Sequence, residues 1–156
     1  MTAHPQLRLS LASLTSNIEA TARWCADAGV ELWPHIKTTM CRPIVERQLA
    51  AGASAVTVAT PAQAATAAAW GCERILIANE VIGALPQVCA VADTTTVMVL
   101  VDSAAGVTAA DAAARTAGVD LDVLIDVGRP GGRTGVRDGR QAVDLAQRVR
   151  AARTLR

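Results

Sequence analysis

Residues 34–40 read Pro34-His35-Ile36-Lys37-Thr38-Thr39-Met40, with a lone lysine where an extended run ends. Alternation along a strand puts His35 and Lys37 on one face and Pro34, Ile36 and Thr38 on the other. An amine at the carboxyl end of a buried strand is costly unless it is neutral, paired or covalently used. The competing reading is a lysine just outside a sheet with its head in water. The choice depends on what else gathers at that end.

Other polar residues fall at equivalent places. Thr60 follows the run 55–59, Asn79 and Glu80 follow 74–78, Asp102 and Ser103 follow 96–101, and Asp126 lies within 121–127. After it comes the loop Gly128-Arg129-Pro130-Gly131-Gly132-Arg133-Thr134-Gly135. The set is polar, mixed in charge and holds one amine able to act as a nucleophile. With Arg133 beside it and water excluded, Lys37 would be favoured as the neutral amine that imine chemistry needs. Thr60, Asp102 and Ser103 are equally well placed to be nothing more than helix N-caps. The glycine-rich loop follows a strand and precedes a helix. Yet it lacks the lysine of G-x-x-x-x-G-K-[ST] and does not match G-x-G-x-x-G, so it is weak as a nucleotide motif. Its glycines permit tight turning, and Arg133 can be aimed back across the sheet end. His35 has a structural reading too, an inward histidine hydrogen-bonded in a barrel floor. Cys41 lies four residues past Lys37, and a buried inert thiol is its simpler account.

The elements that must position these residues repeat. Residues 7–11 alternate Leu7, Leu9 and Leu11, which allows a short strand, and a helix is expected from an N-cap at Ser13 with Leu14, Ile18, Ala22 and Cys25 at helical spacing. A strand over 31–37 is followed by a helix with Pro43 in its first turn. Strands at 55–59, 74–78, 96–101 and 121–127 alternate with helices near 62–70 and 84–92, a mostly Ala helix that runs to Ala117-Gly118, and a last helix near 139–152. Apolar strands alternating with helices imply a parallel sheet covered on its outer face. An open doubly wound sheet and part of a (β/α)8 barrel both fit. A full barrel needs about 200 residues or more, so about five units would leave exposed edges and a half-open interior.

Length and composition narrow the class. The 156 residues suffice for one domain with a core, and 51% hydrophobic against 19% charged residues mark a globular chain. Fifteen basic and 14 acidic residues give a net charge of +1, with no electrostatic case for nucleic acid or an anionic membrane. Three Trp with no Tyr or Phe leave few platforms for base stacking. Four widely spaced cysteines form no C-x-x-C pair, which argues for reduced thiols in a cytoplasmic protein, not a zinc site or a disulfide framework. Residues 1–5 do not open a signal peptide, and no apolar run approaches the ~20 residues of a membrane span. The ending Thr154-Leu155-Arg156 carries no terminating signal and suggests an interrupted protein.

Taken in order, several stretches resemble a known family: Pro34 through Met40; Arg47-Gln48-Leu49-Ala50-Ala51-Gly52-Ala53 with Val56-Thr57-Val58-Ala59-Thr60; Ile75-Leu76-Ile77-Ala78-Asn79-Glu80-Val81; Val101-Asp102-Ser103; and Gly131-Gly132-Arg133-Thr134-Gly135-Val136. Together they resemble the N-terminal part of the pyridoxal-phosphate (PLP) barrel of alanine racemase-like enzymes, and most closely the branch of D-serine dehydratases, D-threonine aldolases and amino acid deaminases. The resemblance implies an α/β fold in which residues 1–156 are part of the barrel domain, with later strands and a C-terminal β-domain absent. It implies a lyase acting on D-3-hydroxy amino acids, with Lys37 as the catalytic Schiff-base lysine, Arg133 on the phenolic oxygen of PLP and His35 as a further cofactor contact. It places no metal ligand in this chain, allows a divalent metal in the full-length protein, and implies a homodimer of that protein. Where D-threonine aldolases and D-serine dehydratases often read K-T-H-K, this chain reads Lys37-Thr38-Thr39-Met40, which favours the deaminase-like branch over the aldolases and zinc dehydratases. Alone, the chain is expected to bind PLP weakly and to turn over little or nothing. A non-catalytic PLP-binding module, or an unrelated α/β domain with a structural Lys37, are the alternatives.

Overall fold

β-Branched residues drive the sheet. Val56 and Val58 in β1 (Val56–Val58), Ile75 and Ile77 in β2 (Arg74–Ile77), and Val97, Val99 and Val101 in β3 (Thr96–Val101) are buried. Each such side chain stabilises the fold by roughly 1.5–3 kcal/mol relative to leaving it in water. The structure, a computed structural model, describes residues 8–156. With β4 (Asp122–Ile125), the strands form one parallel sheet in the order β1-β2-β3-β4. Two more extended positions continue it at either side: His35 bridges Thr57, and Leu155 bridges Leu121. The helices are α1 (Leu11–Asp27), α2 (Arg42–Ala50), α3 (Pro61–Ala69), α4 (Leu85–Ala92), α5 (Ala104–Ala117) and α6 (Gly139–Ala151).

Strand order decides the architecture. A doubly wound sheet reverses its order at a switch point. Here every strand pairs with its neighbour in sequence, and α3 to α6 pack beside one another in the same order. That is an arc of a (β/α) barrel. The pairing register puts His35, Thr57, Leu76, Met98 and Asp122 in one row. By alternation this row faces away from the buried valines and isoleucines, toward the barrel interior. That face is open: Leu76, Met98 and Leu100 are half-buried, and Leu124 is 43% exposed.

At the amino ends of the strands, Glu31 Oε2 accepts from Trp33 Nε1 (2.8 Å), Ser54 Oγ (2.6 Å) and Arg74 Nη1 (2.9 Å). The Arg74 guanidinium also lies 4.7 Å from the Trp33 ring centre. This cluster ties the first extended segment to β1 and β2 at the end away from Lys37. The Ser54 hydroxyl first, then Trp33 and Arg74, hold the Glu31 carboxyl below its usual range.

Two expectations need correction. The strand over 31–37 is an extended edge segment with one bridge, at His35. Its ladder to β1 runs through Ser54 N to Leu32 O, Thr57 N to Pro34 O and Ile36 N to Thr57 O. It ends at Ile36, because the Ile36 carbonyl accepts from the Thr39 and Met40 amides and closes a turn that Lys37 opens. No strand forms over residues 8–11; the Ser10 hydroxyl, not Ser13, caps α1, accepting from Ser13 N at 3.3 Å. Leu9 and Leu11 stay exposed, with no sheet to enter. Leu7 and the segment 1–5 lie outside the described residues. Among the described residues, no helix is long and apolar enough to cross a membrane.

Candidate active site at the strand ends

Lys37 is the only lysine among the 15 basic residues of the chain. Its backbone is held from two directions. The turn bonds come from Ile36, and the Lys37 carbonyl accepts from Gln63 Nε2 at 3.2 Å. The Gln63 Oε1 accepts from Ala59 N at 2.9 Å, so one amide side chain spans the ends of the first segment and β1. Met40 closes this turn at φ 39°, a left-handed conformation uncommon for a non-glycine residue. The Lys37 side chain is exposed and makes no hydrogen bond or ion pair with the described residues. The water exclusion expected around it is therefore absent from this arc, whose interior is open.

His35 sits in the interior row but is exposed, with no side-chain hydrogen bond to the described residues. A histidine bonded into a barrel floor is thus not what forms. Thr60 and Ser103 are N-caps, accepting from Gln63 N (3.3 Å) and Gly106 N (2.9 Å). Asp102 is not a cap: its Oδ2 accepts from Gly135 N at 2.8 Å. Glu80 Oε1 accepts the amides of Asp102 (3.0 Å) and Ser103 (3.1 Å), and the Ser103 hydroxyl donates to the same carboxylate. Gly106 leaves room for this arrangement: a Cβ there would overlap Glu80 Oε1 and push the carboxylate off the amides it holds. Two carboxylates thus carry position from the end of β2, through the β3–α5 turn, to the glycine loop. Asn79 is exposed and Asp126 half-buried; neither side chain bonds to the described residues.

The loop is pinched at its base. Gly128 N donates to Val136 O and Val136 N to Asp126 O, both at 2.9 Å. Gly135 has φ +89°, and a Cβ there would run into the Gly128 and Val127 backbone. The tip is a turn in which Gly132 N donates to Arg129 O (2.8 Å), with Pro130 second and Gly131 third at φ +73°. That is the residue pattern of a type II turn. Inside the loop, the Arg137 guanidinium donates to the carbonyls of Arg129 (3.1 Å), Gly132 (2.8 Å) and Thr134 (2.7 Å). Arg133 is exposed and makes no bond to the described residues. A groove of about 540 Å³ flanks the loop beside α6, lined by Asp102, Gly135, Arg137, Arg140 and Asp144; neither His35 nor Lys37 borders it.

Gln63, Glu80 as a backbone acceptor and Arg137 are the positioning groups that sequence reasoning missed. The Gly128 to Gly135 pair was the only hint of a pinched loop. Among the described residues, no group of three or more His, Cys, Asp or Glu is arranged to hold a metal. Cys41 is half-buried at the N-cap position of α2 without a capping bond. Cys72 and Cys89 are buried, and desolvation pushes both thiols up.

The site chemistry is an amine and a guanidinium, both unpaired among the described residues, at one end of a parallel arc. That donor set fits PLP, whose aldehyde suits an amine and whose phenolic oxygen suits a guanidinium. The alanine racemase N-terminal domain family matches residues 9–156. A D-threonine aldolase of Arthrobacter sp is 36% identical over 151 residues, covering 94% of this chain and 39% of that protein. A D-threo-3-hydroxyaspartate dehydratase of Delftia sp. (strain HT23) is 33% identical over 134 residues, covering 85% and 35%. The crystal structure of D-threonine aldolase from Filomicrobium marinum superposes with a TM-score of 0.94 at 32% identity, over 99% of this chain and 42% of that one. The chain spans about two fifths of the length of these relatives.

Proposed function

Because the chain belongs to the alanine racemase N-terminal domain family, we propose that it supplies the lysine-bearing arc of a PLP-dependent lyase acting on D-3-hydroxy amino acids. The observation that carries this reading is the placement of the only lysine at the carboxyl end of the first extended segment, on a backbone held by Ile36 and Gln63. When bound, PLP supplies an aldehyde and an electron-withdrawing ring that favours negative charge at a substrate Cα. Lys37 Nζ would hold the cofactor through its aldehyde carbon. Arg133 would donate to the phenolic oxygen, and His35, two residues before Lys37, lies in the interior row of the sheet. In the dehydration branch Lys37 Nζ is the base that accepts the α-proton.

Two outcomes share this site. Loss of the β-hydroxyl gives ammonia and a 2-oxo acid; cleavage of the Cα–Cβ bond gives glycine and an aldehyde. Thr39 and Met40 favour the first, and the likeness to two D-threonine aldolases supports the second. The activity belongs to a protein with a closed barrel, and the exposed Lys37 of this arc lacks the water exclusion that such chemistry uses. The experiment is product analysis after incubation of the chain with PLP and D-serine or D-threonine. Little or no turnover is expected, with any trace product falling in one of the two sets. Efficient turnover by the 156-residue chain would overturn the partial-site reading. Racemisation without either product set would overturn the lyase reading.

A further inference from the structure

We propose that Arg137 is the positioning residue for Arg133: it ties down the glycine loop so that Arg133 is presented with its guanidinium free. The proposal rests on the reading above that Arg133 meets PLP. Its evidence is a division of labour between two loop arginines. Arg137 donates Nη1 to the Arg129 and Thr134 carbonyls and Nη2 to the Gly132 carbonyl. Arg133, between the second and third of these residues' carbonyl anchors, bonds to nothing among the described residues. The loop backbone closes tightly about the guanidinium: a Cβ on Gly128 would run first into the Thr134 carbonyl oxygen and then Arg137 Nη1, and one on Gly132 into the Arg129 carbonyl oxygen, the two carbonyls being ones that Arg137 holds. Gly128, Gly131, Gly132 and Gly135 make this loop costly to order, since glycine loses more backbone freedom than any other residue. The pinch at Val127 and Val136 and the Asp102 bond to Gly135 fix only its base. Three carbonyl bonds from one planar fork fix its tip, which the point charge of a lysine cannot reproduce.

The test is hydrogen exchange of residues 129–135 in wild type, R137K and R137M, beside borohydride-trapped PLP loading in the same proteins and in R133A. In R137M, exchange over 129–135 should quicken about tenfold while β3 and α5 keep their protection, with R137K intermediate. Apparent PLP affinity should fall about as far as in R133A, and R133A/R137M should bind no more weakly than R133A. Unchanged loop exchange in R137M would overturn the clamp. Loss of protection throughout β3 and β4 in both Arg137 variants would also overturn it, making Arg137 a residue of the fold. A loosened loop with PLP affinity unchanged, while R133A weakens binding, would overturn the positioning role. If R133A itself binds PLP normally, the cofactor reading of Arg133 fails instead, and the exchange data still judge the clamp.

Discussion

Asp102 Oδ2 accepts the Gly135 amide at 2.8 Å, joining the carboxyl end of β3 to the base of the arginine loop. This is a charge-assisted bond in a half-buried place. D102A should lower stability by about 1–2 kcal/mol, and D102N by less, because an amide oxygen still accepts. Urea unfolding measures both. Equal losses would mean that the carboxylate is not acting as the acceptor.

Gly106 and Glu80 should be strongly coupled. A Cβ at Gly106 collides with the carboxylate that holds the Asp102 and Ser103 amides. G106A should cost about 1–3 kcal/mol in the wild-type background. In an E80A background the same change should be neutral or stabilising by up to about 1 kcal/mol, since alanine is the better helix former. A double-mutant cycle on unfolding midpoints checks this, and additive effects would contradict the contact.

The two left-handed loop glycines should differ. Gly131 has φ +73° with nothing near its missing Cβ, whereas Gly135 has φ +89° with backbone in the way. G131A should cost about 1 kcal/mol from backbone strain alone. G135A should cost at least about 2 kcal/mol more, because backbone must move. Thermal unfolding of the two variants distinguishes them.

Acid should weaken the fold through named carboxylates. Desolvation pushes Asp111 up, but it is outweighed by the Thr154 hydroxyl and amide, then Arg115 and the Arg153 amide, so the carboxyl sits below its ordinary value. Glu31 is likewise lowered by Ser54, Trp33 and Arg74. A depressed folded value means stabilisation that is full above the unfolded value, about 4, and is lost as pH falls through the folded one. Stability should therefore be flat from about pH 5 to about pH 8 and decline below about pH 4. D111A should flatten part of that decline and cost about 1–2 kcal/mol at neutral pH, by freeing the Arg153 and Thr154 amides at the end of α6.

Much of this arrangement is legible in the sequence, and the reasons are local. The run Thr96–Val101 reads as a buried strand and is one, because six apolar or β-branched residues leave no other use for it. Gly118 ends α5 at φ +72° as a left-handed cap should. Ser10 and Ser13 compete for the same cap, and only the path of the chain into α1 decides between them. The first strand is less regular than its pattern, because the Ile36 carbonyl is taken by a turn. In the site, Lys37 and the glycine loop stand out by residue type. Gln63, Glu80 and Arg137 do not, because each acts on backbone groups. Gln63 meets Lys37 from 26 residues away and Glu80 meets Asp102 from 22, only once parallel strands align their ends. Arg137 is near its loop in sequence, but nothing in its type tells a carbonyl clamp from a solvated charge.

Lys37 as the cofactor amine is tested most directly by borohydride reduction of the chain with PLP, followed by peptide mass mapping. With one lysine in the chain, Lys37 is the only side-chain amine that can be trapped. The predicted result is a reduced PLP adduct on the Lys37 peptide that forms at lower PLP concentration than any adduct on the α-amino group, and that is lost in K37A. Adduct confined to the α-amino group, or equal loading in K37A, would contradict it.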